Sequence, residues 1–208
     1  MAVASLSKLT VPLPAGQSSP SQGLLMPKLK YRFRVTLQNF GVTTQSTELT
    51  KQVMSCTRPE VSFEQIVLDA YNSKVKLAGK HSWADITLTV RDDASGIVSK
   101  LVGEQIQKQF DFFEQSSAAS GIDYKFTTVI EILDGGNGAF EPQVLEAFEC
   151  EGCYLQKVTY QGGDYKTSEA MDISMTISFD NAIQLNASGN PVGIGQNVGR
   201  AVRTLATG

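Results

Sequence analysis

The chain has 208 residues, 41% hydrophobic and 19% charged, enough to bury a core in one domain with extensions. No stretch approaches the roughly 20 consecutive apolar residues that span a bilayer, and Met1–Leu13 lacks the basic start and apolar segment of a secretory signal, so no membrane partner is expected. The net charge of −3 divides into +6 over residues 1–91 and −9 over residues 92–208: either folding intermixes the two halves, or the subunit is polar and its opposite surfaces attract copies of itself. With neither an overall basic balance nor a compact basic cluster, a nucleic-acid binder loses ground.

In chain order, residues 1–29 carry Pro12, Pro14, Pro20 and Pro27 and read as an extended N-terminal arm. The period-two alternation of Tyr31, Phe33, Val35 and Leu37 with Arg32, Arg34 and Thr36 predicts a half-buried strand with a basic outer face. Less regular strands are expected over Glu48–Thr57 and Val61–Asp69, separated by the Arg58-Pro59 step. Ile86, Leu88 and Val90 alternate with Asp85, Thr87 and Thr89 in a further strand.

The period then changes. Val98, Leu101, Val102, Ile106, Phe110 and Phe113 follow helical spacing, so one inserted α-helix is expected at about 95–115. Asp92, Asp93 and Ser95 favour its start, and Gly121 follows its end. Strands follow at Lys125–Leu133, Ala147–Tyr160 and Ile173–Phe179, with a turn in the Asp134-Gly135-Gly136-Asn137-Gly138 run. The chain closes in a Gly-rich tail over 185–208. The pattern is mainly β, an antiparallel β-sandwich or barrel with a single helix, its β-domain spanning 30–184.

Chemistry is sparse. The only histidine, His81, lies between Lys80 and Ser82 and reads as a turn residue, with no nucleophile placed for a hydrolytic triad. Cys150-Glu-Gly-Cys153 has C-x-x-C spacing, but zinc needs four ligands and only Cys56 and His81 remain to complete the set. A redox pair would sit at a helix N-terminus, whereas this one sits among strands. The three cysteines make no disulfide framework and suit assembly in a reducing cytoplasm. Gly193-Ile-Gly195-Gln-Asn-Val-Gly199 misses the dinucleotide-loop spacing by one. No catalytic residue, cofactor or metal ligand is expected.

Lys74–Asp93 is the informative stretch. It reads as a short strand, an Ala78-Gly79 turn, an aromatic anchor at Trp83, an alternating strand and an acidic helix start. With Leu77, Thr87, Thr89, Val90 and Asp92, this order resembles the tail tube family of contractile bacteriophages. Type VI secretion and R-type bacteriocin tubes share that fold. The flanking Tyr31–Leu37, Lys51–Pro59, Glu149–Tyr160 and Ile173–Asp180 segments, the last taken as the closing strand, extend the resemblance over about residues 30–184.

The resemblance implies a structural protein of a virion tail, assembled in the host cytoplasm into stacked hexameric rings that enclose a conduit for DNA ejection. Its partners would be copies of itself, the tail sheath protein, the baseplate and tail terminator proteins, and DNA passing without specific contact. Ala70, Tyr71, Asn72 and Ser73, with Lys74 and Lys76, are expected to contact an adjacent subunit or ring. Glu60, Glu64, Glu149 and Glu151 are candidates for the lumen wall, where carboxylates keep DNA from sticking. Lys100, Glu104, Lys108 and Asp111 are candidates for facing the sheath, and Ala78, Gly79 and Trp83 for the structural anchor, with Trp83 in the core. Other readings are a terminator or baseplate component, a secretion-type tube, or a monomeric ligand-binding β-barrel.

Overall fold

The computed structural model describes residues 26–42, 46–135 and 141–197. The chain divides into two units, Met1–Arg32 and Phe33–Gly208. In the first, the described residues end in a turn closed by Arg32 N donating to Leu29 O at 3.2 Å. The remaining arm residues, 1–25, lie outside the described residues.

The second unit is built on antiparallel strands. β1 is Phe33–Gln38, followed by α1, Thr47–Gln52, and β2, Val53–Cys56. β3, Glu60–Ala70, and β4, Ser73–Ala84, form a hairpin before β5, Ile86–Arg91. α2, Ile97–Gln109, leads into a small hairpin of β6, Phe110–Asp111, and β7, Ser116–Ser117, and then α3, Gly121–Tyr124. The chain continues through β8, Phe126–Leu133, β9, Val144–Tyr160, β10, Asp172–Ser178, and β11, Asn181–Asn186.

Seven strands form one sheet, ordered β1-β8-β9-β10-β5-β2, with β11 also on β9. The 17-residue β9 joins its two halves: residues up to Cys153 pair with β8 and β11, and residues from Tyr154 pair with β10. The handover falls at Gly152, a β-bulge at φ +68°. One face is apolar because alternation points it inward: Val35, Leu37, Ile86, Leu88, Val90, Ile130, Phe148, Ile173, Met175 and Ile177 are all buried. α2 covers that face with Val98, Leu101 and Val102. Among the described residues no helix is long and apolar enough to cross a membrane.

The mainly antiparallel β class holds, and several local expectations are corrected. Glu48–Thr57 is not one strand: Thr47–Gln52 is helical, with Leu49 buried as its anchor and a Lys51–Glu48 pair across one turn. Helices therefore number three among the described residues. α2 ends before Phe110, whose backbone is extended. Asp111 accepts from Phe113 N at 2.9 Å and Glu114 N at 3.2 Å, and that turn takes Phe113 off the helical stripe into solvent. Ala78 and Gly79 lie inside β4 rather than in a turn, and the hairpin reverses at Tyr71-Asn72. His81 likewise sits within β4, opposite Phe63. The closing strand is β11, not β10. The tail returns along β11, with Gln184 N to Ile194 O at 2.9 Å and Val192 N to Gln184 O at 2.8 Å.

Candidate assembly surfaces

Eleven residues of β3 at about 3.3 Å each reach about 36 Å, and the hairpin they build with β4 contributes no buried residue. Because paired residues share a face, Ile66 with Leu77 and Leu68 with Val75 form an apolar patch near the tip. All four are 47–50% exposed. The opposite face carries Val67 with Lys76 and Asp69 with Lys74. The Lys74–Asp69 pair is solvent-exposed at 3.4 Å and contributes little. At the reversal Tyr71 is left-handed, φ 47°, and fully exposed, while Ser73 Oγ donates to Ala70 O at 3.1 Å.

The six sequence candidates from Ala70 to Lys76 thus gather at one protruding tip. The apolar patch behind them was missed. Its signal is the run Ile66-Val67-Leu68, apolar on both faces of a strand, which a strand lying on its own core has no reason to carry.

At the hairpin base, Gly79 sits where the register slips. A side chain there would lie 3.1 Å from Glu64 O, so β3 and β4 approach closely at this bulge. Trp83 is a correction to the core assignment: it is half-buried at the core's margin, its ring 5.5 Å from Phe179 and 6.2 Å from His81. It packs against the core from the rim, at the base of the hairpin.

Among the described residues, no element forms a layer over the sheet's other face. On the half formed by β2, β5, β10 and β9 it presents Thr87, Thr89, Thr159, Ser174 and Thr176, with Lys157. On the other half it presents Arg34, bonded to Glu131, with Thr36, Val129, Glu149 and Glu151. Hydrogen bonding to that carboxylate raises the Arg34 pKa. Of the four lumen candidates, Glu149 and Glu151 share this face. Glu60 and Glu64 lie on the hairpin instead, so the four do not converge.

The helix candidates are engaged within the chain. Glu104 accepts from Val42 N at 2.9 Å and pairs with Lys100 at 3.7 Å. Lys108 Nζ donates to Asn39 O and Gly41 O, both at 3.0 Å. Asp111 holds the turn after α2, and the backbone N–H groups of Glu114 and Phe113 lower its pKa. At the other end of α2, Asp93 accepts from Val98 N at 2.8 Å and from Ser95 Oγ. The Ser95 bond, then the Val98 one, lowers the Asp93 pKa.

Cys150 and Cys153 are fully buried. Burial pushes the Cys56 thiol up to about 12 and the Cys150 and Cys153 thiols upward as well. Burial thus disfavours their thiolates, and they pack as small apolar groups. Among the described residues, no three His, Cys, Asp or Glu side chains gather to hold a metal.

No family model and no curated protein matches the chain by sequence. Solved structures match its fold. The tube terminating cap of the anti-feeding prophage is similar at TM-score 0.56 and 16% identity, covering 84% of this chain and 99% of that one. The sheath–tube complex of an extracellular contractile injection system, PVC, is similar at TM-score 0.53 and 16% identity, over 77% of this chain and 92% of that one. The sheath/tube terminator of the same system gives TM-score 0.52 at 16% identity, over 76% and 96%. The chain has the fold of these tube and tube-terminator proteins.

Proposed function

We propose that this chain is a structural, non-enzymatic subunit that stacks in sixfold rings to form the inner tube of a contractile tail. The observation that carries the reading is the β3–β4 hairpin. A two-stranded ribbon exposed on both faces, with an apolar patch near its tip, is marginal in water and gains a reason to exist only when another chain covers it. Edge strands β1 and β2 offer further pairing between neighbours around the ring. The uncovered hydroxyl-rich face, with Glu149 and Glu151, suits a lumen through which DNA slides without adhering. Sheath, baseplate and terminator proteins are the partners such a tube meets, with Lys100 on α2 the candidate that keeps a largely exposed side chain for the sheath.

A second reading is a terminating cap of such a tube, favoured by the likeness to the anti-feeding prophage cap over nearly all of that chain's length. Negative-stain electron microscopy of the purified protein across concentration separates the two. Hollow tubes of uniform width support the tube, and single rings that never stack support the cap. Dispersed monomers at every concentration reject both. In the tube case, the double variant Lys74→Glu, Lys76→Glu folds normally but no longer elongates.

A further inference from the structure

β2 and β5 pair with Cys56 opposite Leu88, and both run into the hairpin at the same end of the sheet. At the opposite end of these strands Arg91 lies opposite Asp172, and Ile173 lies opposite Tyr160. The six residues of β5 separate the two ends by about 20 Å. The hairpin therefore leaves from one end of this half-sheet, and a different surface occupies the other.

That far surface is built by the 161–171 loop between β9 and β10. Asp92 N donates to Met171 O at 2.9 Å, Asp172 N to Gln161 Oε1 at 3.0 Å, and Gln161 N to Asp172 O at 3.2 Å. The loop is thus tied to the sheet at its base. Tyr160 and Met171 are about half exposed there and Tyr165 fully so. Asp92, Asp93, Asp164, Glu169 and Asp172 outnumber Arg91 and Lys166, a local charge of −3. The hairpin tip is its complement, an apolar patch with two lysines against one aspartate.

We infer that the far end of β5, β9 and β10, with the 161–171 loop, seats the β3–β4 hairpin of a second copy of this chain. The apolar patch around Leu68 and Leu77 lies on Tyr160, Tyr165 and Met171, while Lys74 and Lys76, on the ribbon's other face, add only long-range attraction to the acidic loop. This rests on the tube reading and gives its stacking contact a receptor. Hairpin and seat lie at opposite ends of the same strands, so the contact is heterologous and does not close, and each added subunit presents a fresh seat. The two tip lysines fall in the basic half of the sequence and the seat almost entirely in the acidic half.

The test mixes single-cysteine variants of the full chain in equal amounts and treats them with a bis-maleimide cross-linker. Leu68→Cys is combined with Met171→Cys, with Tyr165→Cys, and, as control, with Ile122→Cys, which is 89% exposed away from the seat. Unsubstituted protein reads the background from the native thiols. The expected result is a cross-linked dimer in the first two mixtures and not in the control, with tubes still seen by microscopy. Tubes with no link, or with a link only to Ile122→Cys, overturn the seat and leave the tube reading standing. Failure of the unsubstituted protein to assemble removes both.

Discussion

At Gly152 the backbone is left-handed, and a β-carbon would come within 2.7 Å of Asp180 Cγ. This is where β9 hands over from β8 and β11 to β10, so Phe126 faces Cys153 while Thr128 faces Cys150. Only glycine meets both demands, the positive φ and the close approach. In Gly152→Ala the backbone must keep a left-handed conformation that costs a residue with a Cβ about 1–2 kcal/mol. The Asp180 carboxylate must also swing away from Lys125, an exposed pair contributing at most about 1 kcal/mol. Urea unfolding of the alanine variant is expected to show a lower midpoint at unchanged slope, with stability reduced by about 1–3 kcal/mol. An unchanged midpoint would mean that the bulge relaxes without cost and does not fix the handover.

Between elements, the helix is fastened to the sheet by an amide rather than by apolar contact alone. Gln109 at the end of α2 donates from Nε2 to Leu155 O at 2.9 Å and accepts from Leu155 N at 2.8 Å, so one side chain pairs with β9 as a neighbouring strand would. Gln105, one turn earlier and fully buried, accepts from Gly41 N and donates to Tyr124 O. Gln109→Ala leaves both Leu155 groups short of a partner in a partly buried setting, a loss of about 1–3 kcal/mol. Hydrogen exchange at the Leu155 amide should accelerate in that variant, while protection of the β1–β8 pairing stays as in the parent. The strands around the core were legible in the sequence because each buries one face: Val35 and Leu37, Ile86 to Val90, and Ile173 to Ile177 alternate accordingly. Elements serving other demands were not. α1 is six residues with one buried side chain, β11 alternates poorly because the returning tail lies beside it, and β4 has no core beneath it to impose a period. The amide fastenings of Gln105 and Gln109 left no trace in hydropathy. The hairpin tip was identified from its lysines, but its apolar patch needed the register to put Ile66, Leu68, Val75 and Leu77 on one face.

For the whole molecule, the decisive division is between a body that folds on its own core and a ribbon that adds nothing to that core. Val35, Leu88, Leu101, Met175 and their neighbours are fully buried without the hairpin, whose side chains reach the core only at Trp83 on its rim. Ser62 faces Ser82 directly, below the bulge, so residues 63–81 can be replaced by a two-residue Asn-Gly turn that keeps Trp83 against Phe179 and removes only its ring contact with His81. The truncated chain loses exposed positions and the half-buried Gly79, and a stability change of about 1 kcal/mol or less is expected. It should unfold cooperatively near the parent's melting temperature and elute as a monomer. Under conditions where the full chain polymerises, it should form no tubes. Since its seat at the far end of β5 and β10 is intact, it should also cap growing tubes of the full chain and shorten them in proportion to the amount added. Shortening separates a subunit that has lost its donor end from one that has merely misfolded, because a misfolded chain offers no seat. Unfolding of the truncated chain would instead assign the ribbon to the monomer's own stability, and normal tubes from it would move the stacking contact elsewhere on the sheet.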